Sequence, residues 1–460
     1  MVTAGSAERG PPGRRAKQLG RLAGAVNLPS ALRYLDDHVN LEATAGAVHG
    51  LSLERMSRLC EVLGDPQHAY PVVHVTGTNG KGSVVRMTSA LLRAAGLSVG
   101  TYTSPHLERI NERLAWDGAD IGDDALGEAI GRVAALEPVA GVRPSYFEIL
   151  TAAAFAWFAD LAVDVAVVEV GLLGRYDATN VADASVAVLT NVGRDHTDGQ
   201  GAWRAAIAEE KAGIVKPGSH FVLGEADPEL EPVFADAAPT AASLWVRGTD
   251  FDCDVNRVAF GGRLVDLRTP GTTVEEVFVP AHGAHQGDNA AIALAASEAF
   301  FGRPLDEELV NEAFAGVRLP GRFEVIERDP TVVLDGAHNV DGAGAAARTL
   351  AEDFTLSGSL ILVVGLLEGR EPAEMLAALG ATEAAFLVAC TPASPRAIPA
   401  PVLAAAADRL GIPAEAVSSV PDAVGRALAL AGSDDLVLIT GSLYVVGDAR
   451  RSLLARQVDA

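Results

Sequence analysis

The stretch Val72-Val73-His74-Val75-Thr76-Gly77-Thr78-Asn79-Gly80-Lys81-Gly82-Ser83 decides the fold, because a short apolar run leads directly into a loop of small residues. The apolar run predicts a buried strand, and apolar residues at helical spacing follow the loop as far as Gly96. This order of strand, glycine-rich loop and helix cradles phosphate groups, since glycine lets backbone N–H groups turn towards an anion. Lys81 would add a positive charge at the β- and γ-phosphates, and a hydroxyl just beyond it can ligate Mg²⁺.

The loop departs from the strict phosphate-loop (P-loop) rule. That rule places glycine at position 75 and serine or threonine at position 82, whereas the chain has Val75 and Gly82, and its hydroxyl comes one residue late, at Ser83. An ordinary strand-to-helix turn is therefore the alternative. Three glycines, a lysine and a hydroxyl within seven residues favour the phosphate loop.

Length and composition set the class of protein. The chain has 460 residues, too many for one ordinary core, so we expect two domains. With 36 basic against 60 acidic residues, the net charge of −24 opposes broad binding to nucleic acid. No run of 18 apolar residues exists, so no membrane span is predicted. The three widely spaced cysteines fit a reducing cytoplasm better than a disulfide framework or a zinc site.

Residues 1–28 are predicted to form a disordered basic tail. They are rich in arginine, and they lack the apolar core of a signal peptide. A mitochondrial transit peptide is the alternative, and Glu8 with the Pro11-Pro12 pair argues against it.

Strands and helices alternate through residues 72–223, after a helical region predicted over 29–69. The alternation predicts a parallel sheet with helices on both faces, in which ligands bind at the carboxyl ends of the strands. Four side chains lie at or just after a predicted strand end, and we expect them to form one site: Lys81, Ser104, Glu169 and His196.

A smaller α/β domain is predicted after this first one. Residues 245–280 lack helical periodicity and are predicted as short β-strands, and Leu319-Pro320-Gly321 is the expected linker. Strands and helices alternate again from 331 to 440. We therefore predict a P-loop domain over 29–318 and a C-terminal α/β domain over 322–460.

Three ionisable residues of the first domain are candidates for chemistry. Glu169 closes an apolar strand, and because a buried carboxylate is costly without a cation, a metal ligand is favoured over a salt bridge or a helix-cap acceptor. His196 follows Asp195, which could orient it, so a ligand is favoured over a structural histidine. Lys211 follows two acidic residues on a predicted helix, where a solvated position is an equal alternative.

In the second domain, Asp335-Gly336-Ala337-His338-Asn339 directly follows a predicted strand. An Asp and a His in a turn of small residues at a strand end suit ligand binding. A turn that caps the next helix is the alternative. Arg322, just after the linker, could face a nucleotide across the gap between the domains, or it could be an ordinary surface arginine.

Together these motifs resemble those of the folylpolyglutamate synthase/dihydrofolate synthase family, whose members are ATP-dependent ligases related to the Mur ligases. The phosphate loop at 76–83 carries the resemblance first, and the glycine after Lys81 is typical of the folate branch. The other matching motifs follow in order: Thr103-Ser104-Pro105-His106-Leu107, Asn111-Glu112-Arg113, Glu169-Val170-Gly171, Asp177-Ala178-Thr179-Asn180, Asp195-His196, Glu210-Lys211-Ala212-Gly213-Ile214, His285-Gln286, Asn289-Ala290-Ala291, Pro320-Gly321-Arg322, Asp335-Gly336-Ala337-His338-Asn339, Ser394-Pro395-Arg396 and Gly441-Ser442-Leu443-Tyr444.

The resemblance implies a fold and roles for individual residues. The fold would be α/β, with a Mur-ligase-like P-loop ATPase domain built on a parallel sheet and a smaller, Rossmann-like C-terminal domain. ATP would be bound by Gly77, Thr78, Asn79, Gly80, Lys81, Gly82 and Ser83, and by Asn289, Arg322, Asp335 and His338 from both sides of the cleft. Mg²⁺ would be bound by Ser104, Glu169 and His196, while Ser83 as a metal ligand follows from the general P-loop rule alone. The residues expected to be catalytic are Lys81, Glu169, His196 and Lys211, the last as a carbamylated lysine.

The activity implied is ligation of L-glutamate to dihydropteroate, a reduced folate or both, through an acyl phosphate. ATP and Mg²⁺ would be the cofactors, with a second divalent or a monovalent cation left open. The resemblance further implies a monomer. The cysteine pattern, the net charge and the lack of a long apolar run lead us to expect a cytoplasmic protein without nucleic-acid or membrane partners.

Three stretches depart from the family pattern and leave alternatives open. They are Gly171-Leu172-Leu173-Gly174-Arg175, where the family has glycine at the third position, Gln200-Gly201 and Glu368-Gly369-Arg370-Glu371. A Mur-type ligase acting on another carboxylate is one alternative, and a non-catalytic folate- or nucleotide-binding paralogue is another. A plain P-loop kinase would not need the domain after residue 331.

Overall fold

The computed structural model describes residues 27–40, 42, 52–194 and 201–459. The predicted basic tail therefore lies outside the described residues, apart from its last two positions. None of the described helices is long and apolar enough to cross a membrane.

An eight-stranded sheet forms the centre of the N-terminal part. Its strands are β1 (Val72–Thr76), β2 (Val99–Tyr102), β3 (Leu114–Trp116), β4 (Ala119–Asp120), β5 (Val165–Glu169), β6 (Ala184–Leu189), β7 (His220–Leu223) and β8 (Ser243–Val246). They lie in the order β4-β3-β2-β5-β1-β6-β7-β8, and only the pairs that involve β3 are antiparallel. Because helices cover both faces, every residue of β1 and β5 is buried, which explains their almost continuous apolar sequences.

Helices and a small second sheet surround this centre. The helices are α1 (Leu28–Asp36), α2 (Glu54–Leu63), α3 (Lys81–Ala94), α4 (Asp123–Ala140), α5 (Tyr146–Leu161), α6 (Trp203–Ala212), α7 (Glu231–Ala237), α8 (His285–Phe301) and α9 (Glu307–Ala315). The small sheet is antiparallel and consists of β9 (Asp252–Ala259), β10 (Gly262–Arg268) and β11 (Thr273–Val279). Apolar residues of β1, α3, α8 and this small sheet share one core, while the opposite face of the large sheet packs on α4 and α5.

The C-terminal part has its own sheet and core. Its strands are β12 (Glu324–Arg328), β13 (Thr331–Leu334), β14 (Leu360–Val364), β15 (Phe386–Cys390), β16 (Ala414–Val417) and β17 (Leu436–Thr440), in the order β12-β13-β17-β14-β15-β16. Only the edge strand β12 is antiparallel to its neighbour. The helices are α10 (Val340–Asp353), α11 (Pro372–Ala378), α12 (Ala400–Arg409), α13 (Val420–Leu430) and α14 (Leu443–Asp459), and apolar clusters lie on both faces of the sheet.

The predicted α/β class with two parallel-rich sheets is confirmed. One expectation was too simple, because the helical region predicted over 29–69 contains two separate helices, α1 and α2, and residues 37–40 do not continue the first. The prediction had no counterpart for the short peripheral strands β3, β4, β12 and β16 or for α14. The domain limits 29–318 and 322–460 stay a prediction. In the sequence, all strands of the eight-stranded sheet precede the expected linker, and all strands of the six-stranded sheet follow it.

Candidate active site

A cavity of about 730 Å³ lies between the two large sheets. Its walls come from the loops that follow β1, β2, β5 and β6 on one side and from the loop after β13 with the first turns of α10 on the other. The carboxyl ends of parallel strands from both sheets therefore face the same space, as expected for ligand sites of this class of fold.

The phosphate loop is held in place by the segment that follows β6. The backbone N–H of Asn79 donates to Asn191 Oδ1 (2.9 Å), and the Thr190 hydroxyl donates to the Asn79 carbonyl (2.6 Å). Gly77 has a φ of 149°, and a Cβ there would come within 1.8 Å of Thr190 Oγ1. Only glycine fits this position, because the loop approaches its neighbour too closely for a side chain.

Lys81 begins helix α3 and turns back over the loop. Its ammonium group donates to the carbonyls of Gly77 (3.0 Å) and Thr78 (3.2 Å). Gly80, directly before it, adopts a left-handed conformation with φ of 84°. The positive charge therefore lies at the mouth of the loop and at the N-terminus of a helix, where anions bind.

Glu169 lies at the end of β5, and only 5% of its surface is exposed. Its Oε2 accepts the backbone N–H of Ser104 (3.1 Å) and lies 3.6 Å from where a Cβ on Gly82 would be. Burial raises the pKa of Glu169, while the nearby Lys81 charge and the Ser104 N–H oppose this rise. The carboxylate thus sits over the first turn of α3, beside the phosphate loop.

Oxygen donors from three elements meet near this carboxylate. Ser83 is buried in the first turn of α3, Ser104 lies in the loop after β2, and both line the cavity with Glu169. Within the described ranges, no group of three or more His, Cys, Asp and Glu side chains is arranged to hold a metal. A few oxygen donors beside a phosphate loop nevertheless fit Mg²⁺, which usually takes one or two carboxylates and binds substrate phosphates as well.

The C-terminal wall contains a second buried carboxylate, Asp335. Its Oδ1 accepts the N–H of Ala337 (3.0 Å), and its Oδ2 accepts the N–H of Phe323 (3.2 Å). Burial raises the pKa of Asp335 to about 6, although Arg322 and the two backbone donors oppose the shift. Arg322 lies against Gly336, where a Cβ would come within 2.2 Å of its guanidinium, and it faces the cavity.

The remaining nucleotide-site predictions fall in the same cavity. Asn289 of α8 approaches the phosphate loop so closely that a Cβ on Gly80 would lie 2.5 Å from its Oδ1. Nδ1 of His338 lies 2.9 Å from the Gly336 carbonyl, and the backbone carbonyl of His338 accepts Nε of Arg370 (2.7 Å). The loop after β13 is therefore tied to the 368–371 stretch.

The two walls touch at the edge of the cavity. Asn339 Nδ2 donates to Asn79 Oδ1 in the phosphate loop (3.0 Å), while its own Oδ1 caps α10 by accepting the N–H of Gly342 (2.8 Å). Beside this pair, the N–H of Arg194 donates to Asp341 Oδ2 (2.9 Å). The phosphate loop is thus in direct contact with the C-terminal sheet's first helix.

Two predicted site residues, His196 and Lys211, are not among the described residues that line the cavity. His196 lies outside the described residues, so its role stays a prediction. Lys211 is 4% exposed on α6, where its backbone packs against Gly174, and it is not among the described residues that line the cavity. The structure brings together the other predicted side chains, namely Lys81, Ser83, Ser104, Glu169, Asn289, Arg322, Asp335 and His338.

Several cavity residues carried no predicted role. Asp177 lies in a quoted motif, and it holds the loop after β5 by accepting the N–H groups of Leu172 (2.8 Å) and Thr179 (3.0 Å). Arg396 reaches the cavity from the C-terminal part and donates to the Glu42 carbonyl (3.3 Å). Their places in motifs that carry the family resemblance were a signal, but their hydrogen-bond partners could not be predicted from spacing.

Comparisons with known proteins agree with this geometry. The model of the Mur ligase middle domain matches residues 75–297, and that of the Mur ligase glutamate ligase domain matches residues 321–443. A dihydrofolate synthase/folylpolyglutamate synthase of Mycobacterium tuberculosis is 38% identical over 445 residues, which cover 87% of this chain and 89% of the relative.

Solved structures give the same result. The folylpolyglutamate synthase of Mycobacterium tuberculosis complexed with ADP superposes with a TM-score of 0.86 at 37% identity, over 93% of this chain and 98% of the other. A bifunctional folylpolyglutamate synthase/dihydrofolate synthase with Mn, AMPPNP and L-glutamate bound superposes with a TM-score of 0.80 at 31% identity, over 93% and 98%. The family resemblance and the Mur-ligase-like fold predicted from the motifs are thereby confirmed. This chain belongs to the dihydrofolate synthase/folylpolyglutamate synthase family of the Mur ligases.

Proposed function

We propose that this protein uses ATP to join the amino group of L-glutamate to a carboxylate of dihydropteroate, of a reduced folate or of both. One observation carries the proposal: a phosphate loop with Lys81 and the buried Glu169 shares one cavity with Arg322 and Asp335 of the C-terminal wall. Relatives that superpose over nearly the whole chain bind ADP in one case and AMPPNP, Mn and L-glutamate in another, which supports the same ligands here.

The first step proposed is phosphoryl transfer. The acceptor carboxylate attacks the γ-phosphorus of ATP, the bond to the bridging oxygen breaks, and an acyl phosphate and ADP result. Lys81 and the backbone N–H groups of residues 77–82 bind the phosphates and stabilise the charge that develops on them. A divalent cation held by Glu169, Ser104 and Ser83, with His196 as the fourth predicted ligand, would neutralise part of the phosphate charge when bound.

The second step proposed is amide formation. The amine of L-glutamate attacks the acyl carbon, the tetrahedral intermediate collapses, and inorganic phosphate leaves. The two walls touch at Asn79 and Asn339, and closure of the walls around the substrates would keep water away from the acyl phosphate during this step. Asn289, Arg322, Asp335 and His338 would position the nucleotide from both walls. Lys211 remains proposed for the catalytic group by resemblance, and His196 both by resemblance and by its position after Asp195 at a predicted strand end. A monomer is proposed from the same resemblance, and a cytoplasmic location from the three widely spaced cysteines.

Phosphate release tests the proposal directly. ATP, Mg²⁺ and L-glutamate are mixed with the protein, and dihydropteroate or tetrahydrofolate is added separately. Release with dihydropteroate alone identifies a dihydrofolate synthase, release with tetrahydrofolate alone a chain extender, and release with both a bifunctional enzyme. Absence of release with either, from folded protein that binds ATP, would refute the proposal.

The Lys81→Ala variant shows whether the phosphate loop performs the reaction. We expect ATP-dependent release to fall by about 10²–10³-fold, because a cation at the transferred phosphoryl group is lost. Arg132→Ala is the matched control, because it removes one positive charge that pairs with Asp160, far from the cavity lining. Full activity of the Lys81 variant would mean that the nucleotide binds elsewhere.

A further inference from the structure

His74 is a polar residue in the middle of the buried strand β1. Its side chain has no solvent exposure, and burial lowers its pKa to about 3. Its neighbours Val73 and Val75 point into the core shared with α3, so His74 points to the opposite face of the sheet, towards the segment after β5. A neutral imidazole in this position has no part in the reaction described above.

The protons in this region can be assigned from the hydrogen-bonding partners. His74 Nε2 lies 2.8 Å from Thr179 Oγ1, and Nδ1 of the same ring has no partner among the described residues. The Thr179 hydroxyl in turn makes a short contact with Asp177 Oδ1. Burial raises the pKa of Asp177, but the hydrogen bonds from Thr179 and Leu172 oppose this rise and favour the ionised carboxylate, which can only accept. The single hydroxyl proton therefore goes to Asp177, and Thr179 accepts from a protonated Nε2 of His74.

Asp177 connects this chain of hydrogen bonds to the cavity wall. It accepts the backbone N–H of Leu172 through Oδ2 (2.8 Å) and the N–H of Thr179 through Oδ1 (3.0 Å), so it holds both ends of the loop over residues 171–179. Asp177 lines the cavity, whereas His74 and Thr179 are fully buried behind it. The loop thus depends on a chain of three side chains that begins in the central strand.

This wall is chemically different from the phosphate end of the cavity. Leu172 and Tyr176 of the loop line it, and Phe147 packs so closely on Gly171 that a Cβ there would lie 2.4 Å from the ring. Two aromatic rings and a leucine suit a flat, partly apolar ligand such as a pteridine, whereas Lys81 and the loop glycines suit phosphate. A defect in the 171–179 loop should therefore affect one substrate more than the other.

We propose that His74 and Thr179 are positioning residues for the acceptor substrate: through Asp177 they fix the wall formed by residues 171–179 against which the pteroate or folate binds. This inference rests on the proposed function for the identity of the acceptor, but its structural part, the fixing of the loop, does not. Neither residue touches a substrate, and both act through the Asp177 carboxylate.

Variants of the chain of hydrogen bonds test the proposal. Thr179→Val removes the hydroxyl with little change in shape, and His74→Phe removes the ring donor. Thr179→Val removes a donor to the buried Asp177 carboxylate, and His74→Phe removes the donor that orients the Thr179 hydroxyl. We therefore expect each variant to raise the KM for the acceptor about tenfold, while the KM for ATP changes by less than about twofold. His74→Gln restores a donor and should recover most of the acceptor KM.

Tyr70→Phe is the matched control. It removes one buried hydrogen bond from the same domain, between the Tyr70 hydroxyl and the Phe155 carbonyl (3.0 Å), without contact to the loop. It should lower the Tm as the other variants do but leave both KM values unchanged. If the acceptor and ATP KM values rise together in Thr179→Val, or if neither changes, His74 and Thr179 only stabilise the fold and the proposal is overturned.

Hydrogen exchange separates this proposal from the proposed function. The Leu172 amide is protected by Asp177, so peptides covering 171–178 should exchange at least several-fold faster in His74→Phe and Thr179→Val and at the wild-type rate in Tyr70→Phe. A wild-type protein that releases no phosphate with any acceptor refutes the proposed function and with it the acceptor assignment. The exchange result then still decides whether the chain of hydrogen bonds fixes the loop, and unchanged exchange overturns that part as well.

Discussion

The ends of strands β5 and β13 face each other across the cavity, and each carries a buried carboxylate. Glu169 is 5% exposed and Asp335 is 8% exposed, and burial raises the pKa of both. They differ in how their oxygens are used. Asp335 gives both oxygens to backbone N–H groups, whereas among the described residues Glu169 accepts one backbone N–H, from Ser104, on Oε2 alone.

The difference follows from which carboxylate shapes the loop after the strand. After β13, Asp335 itself accepts the N–H two residues later and thereby forms the turn. After β5, this task belongs to Asp177, which accepts the N–H groups of Leu172 and Thr179. Glu169 is therefore left with an oxygen that can bind a cation, while Asp335 acts mainly as part of the backbone scaffold. On the wall after β5, Glu169 closes the strand and Asp177 shapes the loop, whereas on the wall after β13 Asp335 alone does both.

Replacing each carboxylate by its amide should lower kcat to very different extents, and this is the largest effect expected. Glu169→Gln should lower kcat by about 10²–10³-fold, since charge at the transferred phosphoryl group is no longer balanced through a metal. Its Tm should stay equal or rise, because a buried charge is removed while the amide oxygen still accepts from Ser104. Asp335→Asn should lose at most about tenfold in kcat. Phosphate release and thermal unfolding measure both, and equal rate losses would contradict the distinction.

The pH dependence of stability should sharpen the comparison. Because the folded protein raises the pKa of Asp335 from 3.8 to about 6, the folded state holds more protons than the unfolded chain between these values. The stability contribution of this group is therefore greatest below about pH 4 and falls as the pH rises to 6. The unfolding free energy of the wild type minus that of Asp335→Asn should fall by about 2–3 kcal/mol over this range.

Urea unfolding at a series of pH values measures this difference. Asp353→Asn is the control of opposite sign, because contacts with His282 and Arg263 lower the pKa of Asp353. The corresponding difference for Asp353 should grow as the pH rises through the acid range. A flat difference for Asp335 would mean that its carboxyl group is not buried as described.

The sequence predicted the local parts of the site better than the contacts between them, for physical reasons. The phosphate loop and Glu169 are local signals, since a glycine-rich loop and an acid closing an apolar strand can be recognised within a few residues. The partners that complete the site are not local. Asn79 meets Asn339 from 260 positions away, and His74 meets Thr179 from 105 positions away. Only the packing of the two sheets decides which strand ends face each other.

Irregular segments were also harder to predict than the central strands. The prediction of one helical region over 29–69 rested on spacing around Leu51–Leu59 and missed the break after α1. The peripheral strands β3, β4, β12 and β16 have two to five residues each, too few for a periodic pattern. Strands such as β1 and β14 were predicted well because burial on both faces demands an apolar run.

A smaller effect is expected where the C-terminal wall meets the phosphate loop. Asn339→Ser keeps a cap for α10 but is too short to reach Asn79, whereas Asn339→Ala loses both contacts. Both variants should lower kcat/KM for ATP by about three- to tenfold, since one hydrogen bond between the walls is lost. Only the alanine variant should lose about 1 kcal/mol of stability through the cap. Equal stability of the two variants would show that Asn339 does not cap the helix.

The smallest effect concerns Leu173, which stands in the loop after β5 where the family pattern has glycine. Leu173 has a left-handed φ of 58°, a conformation that costs a side chain about 1–2 kcal/mol, and its side chain packs against the cluster around Ile207 and Phe221. Leu173→Gly and Leu173→Ala both lose this packing, but only glycine relieves the backbone. The glycine variant should therefore be more stable than the alanine variant by about 1 kcal/mol, the reverse of the order in a helix. Urea unfolding of the two variants measures the difference. If alanine is the more stable, the loop after Glu169 does not hold residue 173 in the left-handed conformation. The loop that Asp177 shapes after β5 would then differ from the one described here.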